Sequence, residues 1–140
     1  MVLERDLRSA WPHEGCALLL GEPGRVHWVW PCLNAWKPGA AEAPELSRRN
    51  RFSIDPAELV TAQRWCRDRH WQLLGAAHSH PTGPVMPSAE DLDWGWPGAL
   101  MLIRGYAPLA WGAWSLQGEQ GRLQAQALRL QLTGDGHLGK

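Results

Sequence analysis

A run of five apolar residues, Cys16-Ala17-Leu18-Leu19-Leu20, closed by Gly21, constrains the fold more than any other stretch. It is too short for a buried helix and holds no polar residue to face water. It reads as a strand covered on both faces. Such a strand needs apolar layers above and below it. The run Leu73–His78 (LLGAAH) makes the same demand a second time. Between the two, Asp55-Pro56 starts a helix, with Asp as N-cap, Pro at the first helical position and Glu58 three residues after the cap. Leu59, Ala62, Trp65 and Cys66 follow at helical spacing, and the helix is predicted to run to about His70. Strands and helices that interleave in this way define an α/β class, with one central mixed sheet flanked by helices.

Fifteen Gly and eleven Pro keep the remaining elements short. Residues 2–11 are predicted as a helix that ends before Pro12, with Leu3 and Leu7 on one face. Glu22-Pro23-Gly24 is a turn that makes a hairpin with a strand over Arg25–Trp30. In that strand Val26, Trp28 and Trp30 are expected on one face and Arg25, His27 and Val29 on the other. Residues 34–48 lack any period and read as a loop. Arg51–Ile54 is predicted as a short strand. Residues 81–87 form a loop, and Ser88 opens a short helix. Ala99–Ile103 and Leu109–Leu116 are further strands, joined through Gly105 and Pro108. Leu123–Leu132 is a last strand or a helix.

At 140 residues the chain has the size of one domain, expected over 1–133 with a flexible tail at 134–140. Fourteen basic and fourteen acidic residues give a formal net charge of zero. That argues against a nucleic-acid partner, which calls for a basic excess. No apolar run is long enough to span a bilayer, and the first residues lack the basic and apolar regions of a signal peptide. Three Cys with no C-x-x-C pair fit reduced thiols, with Cys16 and Cys66 in the core. The expectation is a cytoplasmic protein with no membrane partner, as a monomer or weak homodimer.

The chemistry concentrates in His78-Ser79-His80-Pro81 and Pro87-Ser88-Ala89-Glu90-Asp91. Two His at i,i+2 on a strand point to one face, so their imidazoles converge on one ion. Pro81 ends the strand there, and Asp91 lies in the first turn of the next element. Two imidazole nitrogens and one carboxylate oxygen leave a fourth position open, the catalytic rather than structural pattern for zinc. Glu14, just before the buried run, is the candidate general base. Ser88 is placed either to donate to a developing oxyanion or to cap the helix that it opens. Glu90 and Asp93 read as exposed carboxylates. The run Arg48-Arg49-Asn50-Arg51 reads as a solvated loop edge or a holder for a partner's acidic tail. Trp94 and Trp96 either pack the short helix or wall a substrate groove.

The pattern Glu … His-x-His-Pro-x6-Ser-x-x-Asp resembles the JAMM (MPN+) zinc metallopeptidase family in its short prokaryotic form. Four blocks carry the resemblance: Glu14–Gly21, Phe52–Pro56, Leu74–Pro81 and Pro87–Asp91. It implies a single-domain JAMM/MPN-like (cytidine-deaminase-like) fold and one Zn2+ per chain on His78, His80 and Asp91. It also implies Glu14 as general base and Ser88 as oxyanion-side donor. The activity implied is hydrolysis of a peptide or isopeptide bond at the C-terminal tail of a ubiquitin-like or sulfur-carrier-type protein. Ala17 departs from the Gly of many members. The chain is also too short for the lid segments of eukaryotic deubiquitinases, which argues against direct action on ubiquitin chains. A non-catalytic MPN-type binding module is the alternative within the same fold. A nucleobase zinc deaminase needs His-x-Glu and Pro-Cys-x-x-Cys, neither of which is present.

Overall fold

The computed structural model describes residues 2–38, 47–106 and 109–131. In chain order the elements are α1 (Val2–Ser9), β1 (Cys16–Glu22), β2 (Arg25–Cys32), α2 (Pro56–Arg67), β3 (Gln72–Ser79), α3 (Ala89–Trp94), β4 (Leu100–Tyr106), β5 (Leu109–Gln117) and β6 (Gln124–Ala127). The six strands form one sheet in the order β2-β1-β3-β4-β5-β6. Only β3 and β4 run parallel, so the sheet is mixed. The protein is an α/β fold with helices on both faces of the sheet.

β1 is buried along its length until Glu22, as an apolar run with a neighbour on each side should be. Ala17 and Leu19 face α1, with Leu3, Leu7, Ala77 and Leu102. Cys16, Leu18 and Leu20 face α2, with Ala62, Cys66 and Ala76. Further along that second face, Met101, Ile103 and Leu116 pack with Leu92 of α3. The uninterrupted apolar character of β1 therefore follows from a load on both sides.

Several sequence expectations need correction. The α1 helix stops at Ser9 because the chain turns through residues 10–12, including a cis Trp11–Pro12 bond. The α2 helix ends at Arg67, and residues 68–70 are turn. Asp55 caps α2 by accepting from the Ala57 amide at 2.9 Å. Glu58 does not complete a capping box; its Oε2 accepts from Trp30 Nε1 at 2.8 Å. Residues 51–54 form no strand. Among the described residues their one backbone–backbone bond to the neighbouring loop runs from the Ala35 amide to the Ser53 carbonyl, so no ladder forms. Gly105 lies within β4, not in a turn. The last segment resolves as a strand that ends at Ala127.

The hairpin departs from simple alternation. Leu20 pairs with Trp28 and Gly21 with Val26, leaving His27 as an extra residue at a bulge. A bulge reverses the phase of everything beyond it. Val26 and Val29 therefore share the α1 face, whereas Trp30 lies on the α2 face. Trp28 rests against Trp65 there, with ring centroids 5.3 Å apart, and stays half exposed. The expected tail at 134–140 lies outside the described residues.

Candidate metal centre

The site forms at the end of β3. His78 is the penultimate residue of the strand and is fully buried. His80 lies just past it, and its amide prolongs the ladder by donating to the Arg104 carbonyl at 2.8 Å. Pro81 cannot donate to such a ladder, so the chain leaves the sheet here. It returns at Ser88, the N-cap of α3. The Ser88 Oγ accepts from the Asp91 amide at 3.1 Å, and the Asp91 Oδ2 accepts from the Ser88 amide at 2.9 Å. This reciprocal capping box aims the Asp91 carboxylate back at the two histidines.

The three side chains meet in a near-equilateral triangle. Nε2 of His78 and Nε2 of His80 are 3.0 Å apart, and each is 3.1 Å from Oδ2 of Asp91. Ligand atoms about 2.0–2.1 Å from a tetrahedral zinc ion stand about 3.3 Å from one another, close to these edges. The proton positions support the same reading. Nδ1 of His80 lies 2.7 Å from the Pro84 carbonyl, which can only accept, so this nitrogen carries hydrogen. In the neutral ring Nε2 is then a lone pair pointed at a carboxylate oxygen, an arrangement that a cation at the centre relieves. The three residues make a buried group able to hold a metal ion.

The electrostatics follow from this crowding. Burial pulls the His78 imidazole below its ordinary value, against the hydrogen bond and charge of Asp91. Burial acts downward on His80 too, but Asp91, the Pro84 carbonyl and the Glu14 charge outweigh it and hold the group above its ordinary value. Burial pushes the Asp91 carboxyl up, yet its hydrogen bonds to His78 and His80 hold it well below the usual carboxylate range.

Glu14 lies two residues before β1, and Gly15 between them bonds to Ser79, the residue between the two histidines. Glu14 is buried, and its Oε2 has no hydrogen-bond partner among the described residues. Burial pushes its carboxyl up to about 8; the charges of His80 and Arg51 pull it down and that of Asp91 raises it. These couplings place Glu14 within the field of the metal group. Gly15 fixes where Glu14 stands. The Gly15 amide donates to Ser79 Oγ at 2.8 Å, and its carbonyl accepts from the Ser79 amide at 3.0 Å. α1 lies so close that a Cβ on Gly15 would approach the Leu7 carbonyl to 2.7 Å. Two imidazole nitrogens and a carboxylate oxygen, with a buried carboxylate oxygen of Glu14 that lacks a partner among the described residues, are the donor chemistry that a divalent cation and its water would satisfy.

The remaining expected site residues separate. Trp94 leans on Phe52 at 5.6 Å, and Phe52 stacks on the His78 ring at 4.6 Å. Trp96 touches Trp94 but packs with the Met101 and Ile103 group. It lines a cavity of about 630 Å³ with Gln72, Leu74 and Leu100, at the strand ends opposite the histidines. Glu90 is exposed and pairs with Arg51 at 3.2 Å. Three further contributors went unnoticed in the sequence. Ser79 carried a signal, because the middle residue of His-x-His on a strand must point away from the histidines. Asn34 and Trp114 carried none, since their partners are distant in sequence.

A mixed α/β sheet with a buried two-His, one-carboxylate group at the end of its central parallel pair defines a class of JAB/MPN-like domains. The family model for prokaryotic homologs of the JAB domain matches residues 2–117, and the chain belongs to that family. No curated protein matches the chain. Two similar solved structures come from bacteria. The solution structure of protein DSY2949 from Desulfitobacterium hafniense is 29% identical with a TM-score of 0.67, covering 89% of this chain and 83% of that one. A protein from Salinibacter ruber is 24% identical with a TM-score of 0.59, covering 99% and 93%, and shows the shared fold. Among the described residues no helix is long and apolar enough to cross a membrane.

Proposed function

We propose that this protein is a zinc-dependent metallopeptidase or isopeptidase of the JAMM type. The observation that carries the reading is the buried Glu14 carboxylate, which feels the charges of His80 and Asp91 and whose Oε2 has no hydrogen-bond partner among the described residues. His78, His80 and Asp91 would hold the zinc, which would supply a Lewis acid and acidify the attacking water. Glu14 takes the proton of the attacking water and passes it to the leaving nitrogen. In the metal-free protein burial pushes this carboxyl up to about 8; a zinc cation nearby would favour the carboxylate form that accepts the proton. The Ser88 oxygen accepts from the Asp91 amide, which leaves its hydroxyl hydrogen to donate to the oxyanion that develops on the attacked carbonyl. Phe52 and Trp94 close one side of the His78 ring and limit water there.

The substrate we propose is the C-terminal tail of a ubiquitin-like or sulfur-carrier-type protein, as the family resemblance implies, and the sparse, unpaired cysteines favour the cytoplasm as its place of action. A non-catalytic binding module would have no need of Glu14 in this position. The test is to incubate the zinc-loaded protein with ubiquitin-like proteins carrying C-terminal extensions, with and without a chelator, and read the masses. Cleavage in the tail that the chelator abolishes supports the proposal; intact substrates throughout would sink it.

A further inference from the structure

Asn34 lies in the loop after β2, distant in sequence from every residue of the metal group. Its amide group is saturated. Nδ2 donates to the Glu14 carbonyl at 3.0 Å and to the Arg51 carbonyl at 2.8 Å, with the Arg48 carbonyl at 3.5 Å. Oδ1 accepts from the Trp36 amide at 3.1 Å and the Ser53 amide at 3.2 Å. Carbonyls on one side and amides on the other fix which end is which.

The contacts close a ring around the centre. Glu14 reaches Arg51 through Asn34. The Arg51 guanidinium reaches Glu90, the neighbour of Asp91. Asp91 contacts both histidines, and Ser79 between them holds Gly15, the neighbour of Glu14. The Oε2 of Glu14 has no hydrogen bond of its own among the described residues, so backbone attachment must set where the carboxylate stands. Four bonds provide that attachment: Asn34 at the Glu14 carbonyl, the Arg48 carbonyl at the Glu14 amide (2.6 Å), and two between Ser79 and Gly15. Asn34 joins this stretch both to the loop after β2 and to the segment that carries Arg51; Arg48 makes a second such join, its carbonyl accepting from the Glu14 amide and its Nε donating to the Trp36 carbonyl at 3.1 Å.

We propose that Asn34 is a positioning residue, which holds the Glu14 backbone in register with the His78–His80–Asp91 group through its bonds to the Glu14 and Arg51 carbonyls. The catalytic part of this inference rests on the peptidase reading. The two ends of the amide allow a clean test. Asn34→Asp keeps the acceptor toward Trp36 and Ser53 and loses the donor toward Glu14 and Arg51. Asn34→Ala loses both.

The test uses the full zinc-loaded chain, with kinetics, chelator-competition measurement of zinc affinity, and hydrogen exchange read by mass spectrometry. The expected result is a fall in kcat of about 10- to 100-fold in both variants, of the size that misplacing a reacting group produces. KM and zinc affinity should stay within about twofold of wild type, a split that general loosening of the fold would not give. Exchange should quicken over Glu14 and Gly15 in both variants, and over Trp36 and Ser53 in Asn34→Ala alone. Wild-type exchange at Glu14 and Gly15 in either folded variant overturns the proposal, as does wild-type kcat in Asn34→Asp. If the wild-type protein hydrolyses nothing, the peptidase reading fails by itself, and the exchange pattern still decides the role of Asn34.

Discussion

Gly112 of β5 and Val85 of the loop between β3 and α3 touch backbone to backbone. A Cβ on Gly112 would stand 2.2 Å from the Val85 carbonyl oxygen, which no side chain tolerates. The same carbonyl accepts from Trp114 Nε1 at 3.0 Å. One residue earlier, the Pro84 carbonyl receives the Nδ1 hydrogen of His80. Residues on β5 thus seat the loop that sets the orientation and tautomer of His80, a member of the group able to hold a metal ion.

Gly112→Ala is therefore expected to lift this loop and weaken zinc binding by about 10- to 100-fold, the usual effect of losing a partner behind a ligating imidazole. Trp114→Phe, which keeps a ring but loses the hydrogen bond, should weaken it less. Competition with a chromophoric chelator measures both. Wild-type affinity in Gly112→Ala would contradict the seating.

The two roles of Ser88 separate by substitution. Ser88→Ala loses the cap and should cost about 1 kcal/mol of stability, while Gly at an N-cap costs only a few tenths. Ser88→Gly thus loses the Oγ bond to the Asp91 amide but keeps most of the N-terminal stability, and it removes the hydroxyl. We expect near wild-type unfolding and a kcat lowered on the order of 100-fold, as when an oxyanion donor is lost. Unchanged kcat in Ser88→Gly would leave Ser88 as a cap alone.

Glu14 gives a pH signature in the metal-free protein. Its folded value is raised from 4.5 to about 8, so the folded state binds the extra proton between those limits. Its contribution to stability is complete below about 4.5 and is lost as pH rises through 8. The size is on the order of a few kcal/mol. Glu14→Gln should remove that slope, so the difference in unfolding free energy between variant and wild type should grow from pH 5 to pH 8.5. Denaturant titrations in chelator measure it, and a constant difference would contradict the buried carboxyl. The same variant should bind zinc and hydrolyse nothing.

Protons should compete with the metal at His80. Asp91 and the Pro84 carbonyl hold this imidazole above its ordinary 6.5, so it takes up a proton already in mildly acidic solution. Zinc affinity should fall as pH drops from 8 to 6, because only the neutral ring binds. An affinity constant over that range would argue against His80 as a ligand.

Much of this was legible in the chain because the signals were local. Asp55-Pro56 specifies its cap, Cys16–Leu20 its burial, and His78-Ser79-His80 a shared face. The misreadings share a different cause. The phase of Trp28 depends on a bulge at His27, and a bulge is set by pairing between strands. Arg51–Ile54 has strand-like residues but no strand beside it to pair with. Glu58 stands where a capping box expects it, yet a Trp30 indole from the neighbouring hairpin takes its carboxylate. Asn34 sits in an aperiodic loop, and its importance comes from two distant backbone segments, at Glu14 and at Arg51–Ser53, that meet its own loop only after folding. The ten Trp were equally silent. Trp30, Trp65 and Trp71 pack behind β1, and only Trp94 reaches the neighbourhood of His78.

The central claim is that His78, His80 and Asp91 form one zinc site. The most direct measurement is zinc stoichiometry by elemental analysis after reconstitution and dialysis, for wild type and for His78→Ala and Asp91→Ala. The account predicts one zinc per wild-type chain and none retained by either variant. A wild-type protein that retains no zinc, or variants that retain a full equivalent, would contradict it.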